Sequence, residues 1–196
     1  SKPTASGVSN RVSRGSIVTA KAYRASARKY RAKEPSHAAR MDTLVAQILD
    51  AALRGEDIIG HRRGFFWRGS ETAFSPDPEL YSIYVPQWYD DTKKWPLVVS
   101  LHGGSSNHNV WMAMNLGNPI PTSEYWASFR KPFVARSHPE AIVVAPDGLG
   151  QIRWRFSGEQ DVFDVLADVK SNYSVDPDRI FLSGLSNGGI GSYTIG

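Results

Sequence analysis

The run Phe181-Leu182-Ser183-Gly184-Leu185-Ser186-Asn187-Gly188-Gly189 contains a G-x-S-x-G pattern centred on Ser186. That spacing suits nucleophilic catalysis. A serine on a sharp strand-to-helix turn needs small residues two positions before and two after it, so that the turn can close. The apolar residues before Gly184 read as a buried strand, and Gly188 and Gly189 open a helix, which puts Ser186 at the join. Its Oγ would then stand above the strand ends, with the backbone N–H of Asn187 aimed at a developing oxyanion. In a chain of seventeen glycines the pattern is weak by itself, because an ordinary Ser-Gly turn capping a helix writes the same letters.

A second group strengthens it. Leu101-His102-Gly103-Gly104-Ser105 directly follows an apolar strand, and glycines there let the backbone approach a reacting carbon without a Cβ in the way. Gly104 is the preferred second oxyanion donor, with Gly103 and Ser105 beside it. His102 has the chemistry of a general base, but its place after a buried strand reads as a histidine that holds the loop. Trp154 and Phe156 follow Pro146-Asp147-Gly148 on the connection leaving a buried strand, where ligands gather in open α/β sheets. They read either as an aromatic substrate wall or as cover for the core edge. Trp111, with Met112 and Met114, reads as a substrate cap or, more simply, as an apolar plug beneath a long loop. His37, His61, His108 and His138 lack metal-ligand spacing, and there is no P-loop or dinucleotide fingerprint, so neither metal nor cofactor is expected.

The elements that must position these groups follow from periodicity. "GFFWRG" and "LYSIYVP" read as neighbouring strands, and "PLVVSLHGG", "AIVVAPDG" and "DRIFLSG" as short strands covered on both faces. A helix is expected near 122–136. Another over "DVFDVLADVKSNY" turns Val162, Phe163, Val165, Leu166 and Val169 to the sheet, with Asp161 and Asp164 in capping and exposed positions. A last helix begins near Asn187. This alternation builds an α/β fold, a parallel sheet between helical layers.

Upstream, Met41, Leu44, Val45, Ile48, Ala52 and Leu53 mark the buried face of an amphipathic helix near 37–54, with Ser36 as N-cap and Gly55 as stop. Residues 1–20 read as a flexible lead-in. Charge divides at the same place. Residues 1–40 carry ten Lys+Arg against one acid, +9, while the remainder carries thirteen basic and eighteen acidic residues, −5. The basic character therefore belongs to an extension over 1–57, ahead of a domain over 58–196. Nucleic-acid binding by that arm is not expected; a solvated segment is the commoner meaning of such charge. The chain has no cysteine, which removes disulfides and thiol chemistry, and no run of apolar residues long enough for a membrane helix.

The blocks "LYSIYVPQWYDDTKKWPLVVSLHGG", "VVAPDG" and "DVFDVLADVKSNYSVDPDRIFLSGLSNGG" together resemble the α/β-hydrolase superfamily over roughly residues 58–196. The nearest branches are the prolyl oligopeptidase-like hydrolases and the polyhydroxybutyrate depolymerase and feruloyl esterase-like esterases. "ILDAALRGEDIIGHRRG" is similar to the helical lead-in before such domains. The resemblance implies the N-terminal part of that fold, Ser186 as nucleophile, and oxyanion donors at Asn187 and in the His102-Gly103-Gly104 loop. It implies a small or polymeric ester as substrate, or a peptide as the alternative, and it leans to a secreted or periplasmic setting. The superfamily orders its triad serine, acid, histidine. No histidine follows Ser186 in this sequence, so acid and base are expected beyond residue 196. The second expectation is a catalytically incomplete species, poorly soluble or folding only with a complementing chain, because the last strand would be a bare apolar edge.

Overall fold

The computed structural model describes residues 13–104, 106–118, 135–149 and 154–196. Among the described residues five strands form one mixed sheet: β1 (Gly64–Ser70), β2 (Glu79–Val85), β3 (Trp95–Leu101), β4 (Ile142–Ala145) and β5 (Val175–Gly184), in the order β1-β2-β4-β3-β5. β1 pairs antiparallel with β2 and β2 antiparallel with β4, whereas β3 is parallel to both β4 and β5. The fold is α/β as the sequence indicates, but only the β4-β3-β5 part of the sheet is parallel.

Period-two alternation assigns the faces. Leu97, Val99, Leu101, Ile142 and Val144 point into the larger core, where helix α4 (Ser157–Asn172) lays down Val162, Val165 and Val169. Tyr84, Val143 and Ala145 point the other way and meet Met112 and Leu116 of helix α3 (His108–Asn115) and its end. α3 falls where the sequence suggested only a long loop. Its N-cap Asn107 accepts from the N–H groups of Asn109 and Val110, so one polar side chain starts a helix that periodicity was too short to reveal. The helix expected near 122–136 falls, but for its last two residues, outside the described residues. Within α4 the buried stripe is Gly158, Asp161, Val162, Val165 and Val169; Phe163 is turned outward and exposed, contrary to expectation.

The basic N-terminal segment is built into this frame. Helix α1 (Arg14–Tyr30) starts at Ser13, whose hydroxyl accepts from the N–H of Ser16, so residues 14–20 are helix rather than lead-in. α1 packs on the edge strand β1 through small residues: Thr19 Oγ1 accepts from Gly69 N–H at 3.1 Å and donates to Gly15 O at 2.8 Å. Tyr23 is buried and donates to Trp67 O at 2.6 Å, and burial pushes its phenol up to about 12. The charges of the segment meet the acidic part of the chain in Arg14–Glu71 and Arg28–Asp77 ion pairs. Helix α2 (Pro35–Leu53) begins with Pro35 in its first turn and Glu34 as N-cap, where Ser36 was expected. It buries Ala38, Met41, Ile48 and Ala51, while Leu53 is exposed at its end.

One buried charge joins the layers. Arg68, fully buried on β1, donates from Nε to Asp168 Oδ2 of α4 at 2.6 Å, and Tyr81 of β2 donates to the same oxygen at 2.7 Å. Asn172 Nδ2 donates to Asp168 Oδ1 at 3.0 Å, and a Cβ on Gly15 of α1 would lie 1.8 Å from Arg68 Nη2. Removing one member of such a pair strands the other charge in a poorly solvated place. Asp168→Ala is therefore expected to lower unfolding free energy by about 3–5 kcal/mol in urea titrations. Arg54→Ala, which breaks only exposed pairs with Asp50 and Glu56, is expected to leave the midpoint unchanged.

Candidate active site

β5 ends at Gly184, and helix α5 (Asn187–Ile195) begins two residues after Leu185, so Ser186 occupies the junction as the N-cap of α5. Its backbone sits at φ 55°, ψ −118°, a conformation that costs an L-residue energy and persists only where the surroundings enforce it. The enforcement is close packing between backbones. A Cβ on Gly188 would lie 2.0 Å from Leu101 O at the end of β3, and one on Gly184 would lie 2.4 Å from Gly188 C. Two glycines thus let α5 fold back onto β5 and β3 at a distance no side chain permits. Ser186 is exposed, and its Oγ has no hydrogen-bond partner among the described residues.

The loop after β3 lies against this turn. A Cβ on Gly103 would stand 3.2 Å from Leu185 O and 3.5 Å from Ser186 Cβ, and one on Gly104 would stand 2.8 Å from Asn187 Nδ2. The structure therefore brings Ser186, Asn187, Gly103 and Gly104 together; Ser105 lies outside the described residues. Asn187 heads α5, where backbone N–H groups lack intrahelical acceptors and the helix dipole is positive. The arrangement sets an exposed hydroxyl at a helix N-terminus beside a glycine-containing loop.

The His102 ring is engaged with backbone carbonyls and not with the serine. Its Nδ1 lies 2.9 Å from Gly103 O and its Nε2 3.0 Å from Asp147 O. Both partners are carbonyl oxygens, which only accept, so the one N–H of the ring donates to one of them, and the imidazole sits wedged between the β3 and β4 loops. Trp154, buried to 4% exposure, donates from Nε1 to His102 O at 3.0 Å, and its ring meets the imidazole edge-on at 4.9 Å. Trp154 braces the loop from behind and offers no open face, while Phe156 is 82% exposed at the N-cap of α4. Trp111 lies on α3, where its Nε1 donates to Ser100 Oγ at 2.7 Å, so it belongs to a helix on the second face of the sheet.

Asp161 has a part that the sequence reading passed over. It is buried within α4, not at its cap, and its Oδ2 accepts from Gly148 N–H at 2.7 Å, tying down the β4 loop that holds His102. A signal was available: Asp161 stands four and eight residues before Val165 and Val169 on the apolar stripe. Besides Ser186, the non-glycine residues with positive φ among the described residues are Leu149, Trp154 and Phe156. All four lie on the connections leaving β4 and β5, so backbone strain is concentrated around the serine and its bracing loop.

Burial raises the Asp161 carboxyl to about 7, against the lowering effect of the Gly148 N–H. A carboxyl raised on folding favours the native state while protonated, so that contribution is full below 3.8 and is lost as pH climbs through about 7. Asp161→Asn keeps an acceptor for Gly148 and removes the charge. It is expected to match the parent at pH 4 and to exceed it at pH 8 by up to about 4 kcal/mol in denaturant midpoints taken across pH. Gly188→Ala is expected to cost about 3 kcal/mol or more, because the obstacle is the Leu101 carbonyl and not a movable side chain.

No family model matches the chain. Among curated proteins it is 32% identical over 120 residues to "Probable feruloyl esterase C" of Aspergillus terreus, covering 59% of this chain and 40% of that one. It is 28% identical over 101 residues to a bifunctional acetylxylan esterase/xylanase of Neocallimastix patriciarum, covering 50% of this chain and 13% of that one. The chain thus spans less than half the length of the curated relatives it matches. Similar solved structures include a thermostable esterase (TM-score 0.44, 22% identity, 66% of this chain and 36% of that one). Another is a ferulic acid esterase of Anaeromyces mucronatus (TM-score 0.44, 19% identity, 67% and 53%). The chain is an α/β protein, and the relatives it resembles are named as esterases.

Proposed function

We propose that the protein is a serine hydrolase of carboxylic esters, working through an acyl-enzyme on Ser186. The observation that carries this reading is the left-handed backbone of an exposed serine at a strand-to-helix junction, with the His102-Gly103 loop packed against it. Ser186 Oγ attacks the ester carbonyl carbon and passes its proton to a base. The negative charge that develops on the carbonyl oxygen rests on the Asn187 N–H and a donor from the Gly103-Gly104 loop. The tetrahedral adduct collapses with expulsion of the alcohol, which takes the proton, and water then releases the acid by the same steps. Among the described residues no histidine is hydrogen-bonded to Ser186, and the reading requires a base, oriented by an acid, within reach of its Oγ. The curated relatives support an ester over a peptide bond, since both are named as esterases.

A fluorophosphonate probe distinguishes the outcomes. The full-length protein is expected to be labelled at Ser186, and Ser186→Ala is expected to lose both the label and at least about 10⁴-fold in ester hydrolysis. Labelling with cleavage of peptides in preference to aryl esters would turn the reading to a serine peptidase. Absence of labelling in folded protein would overturn it.

A further inference from the structure

A cavity of about 350 Å³ opens between α2 and β1, at the sheet edge opposite β5. Four strand spacings separate those edges, roughly 19 Å, so the cavity is distinct from the serine site. Met41 and Leu44 of α2 and Phe65 and Phe66 of β1 supply apolar walls, and Arg40 and Arg62 supply the charge. No aspartate or glutamate lines it among the described residues. The Arg62 guanidinium carbon stands 5.3 Å above the Phe66 ring centroid, and among the described residues no carboxylate forms an ion pair with it.

The volume falls in the range of small-molecule sites, and apolar walls with a few convergent polar groups are what such sites present. The charge decides the class of ligand. The Arg62 guanidinium, in a cavity with no lining acid among the described residues, favours an anion, and its planar fork matches a carboxylate through two parallel hydrogen bonds. We propose that this cavity binds a free amphipathic monocarboxylate, its chain against the apolar walls and its carboxylate on Arg62. This site does not depend on the esterase reading.

Octanoate, octan-1-ol and octylamine, titrated calorimetrically into the full-length protein, test it. Octanoate is expected to bind about tenfold more tightly than octan-1-ol, the worth of one charge-assisted hydrogen bond, and octylamine to bind least. Arg62→Gln is expected to reduce octanoate affinity about tenfold. Gln47→Glu, an exposed change on the rim that leaves the core untouched, is expected to weaken octanoate and strengthen octylamine. Ser186→Ala is expected to bind octanoate as the parent does. Equal binding of the three compounds would mean an unselective apolar groove and overturn the proposal. So would absence of saturable octanoate binding, unchanged affinity in folded Arg62→Gln, or loss of binding in Ser186→Ala.

Discussion

A guanidinium with no access to water organises this molecule. Arg68 lies within the sheet-to-helix interface, where an unpaired charge would be prohibitively costly, and it meets that demand with Asp168 of α4, whose carboxylate also accepts from the phenol of Tyr81 on β2. The partners come from different layers. α4 is therefore held against β1 and β2 in one register, and α1 must approach through Gly15, since a side chain there would strike the guanidinium. Burial raises the Tyr81 phenol and the nearby Asp168 charge raises it further, so the hydroxyl remains a donor.

The serine turn depends on that frame through α4. With α4 fixed, Asp161 reaches the Gly148 N–H; the β4 loop that results offers Asp147 O to His102, and Trp154 closes behind the imidazole. The loop so fastened is the one that presses Gly103 against Ser186. Strain at Ser186 is then maintained by contacts remote from it, since unfavourable backbone angles persist only where the surroundings over-determine them. The cavity at the opposite edge uses none of these groups. It draws on α2 and β1, where Arg62 stands without the ion pairs that engage Arg14 and Arg28 elsewhere.

Much of this was legible from local pattern. Each of the five strands was visible as an apolar or alternating run, and the Gly184–Gly188 spacing located the turn, because a close backbone approach tolerates few residue types. The rest depended on partners distant in sequence. The first turns of α1 read as a loose polar leader because, Val18 apart, their buried residues are glycine, serine, threonine and alanine, which carry little hydrophobic signal and yet fit tightly against Gly69. α3 was hidden by its shortness. Phe163 and Leu53 were placed inward by residue type, and both are exposed where the neighbouring layer leaves them uncovered.

By itself the sequence determined the identities of the strands, the α/β alternation, and a serine flanked by the small residues its turn demands, since these follow from periodicity and local sterics. Only the tertiary structure decided that His102 is bound to two carbonyls, that Trp154 is a brace, that Asp161 anchors a loop, and that Arg62 faces a cavity. Hydrogen-bond partners and burial depend on which distant segments share a few ångströms of space. No window of neighbouring residues carries that information.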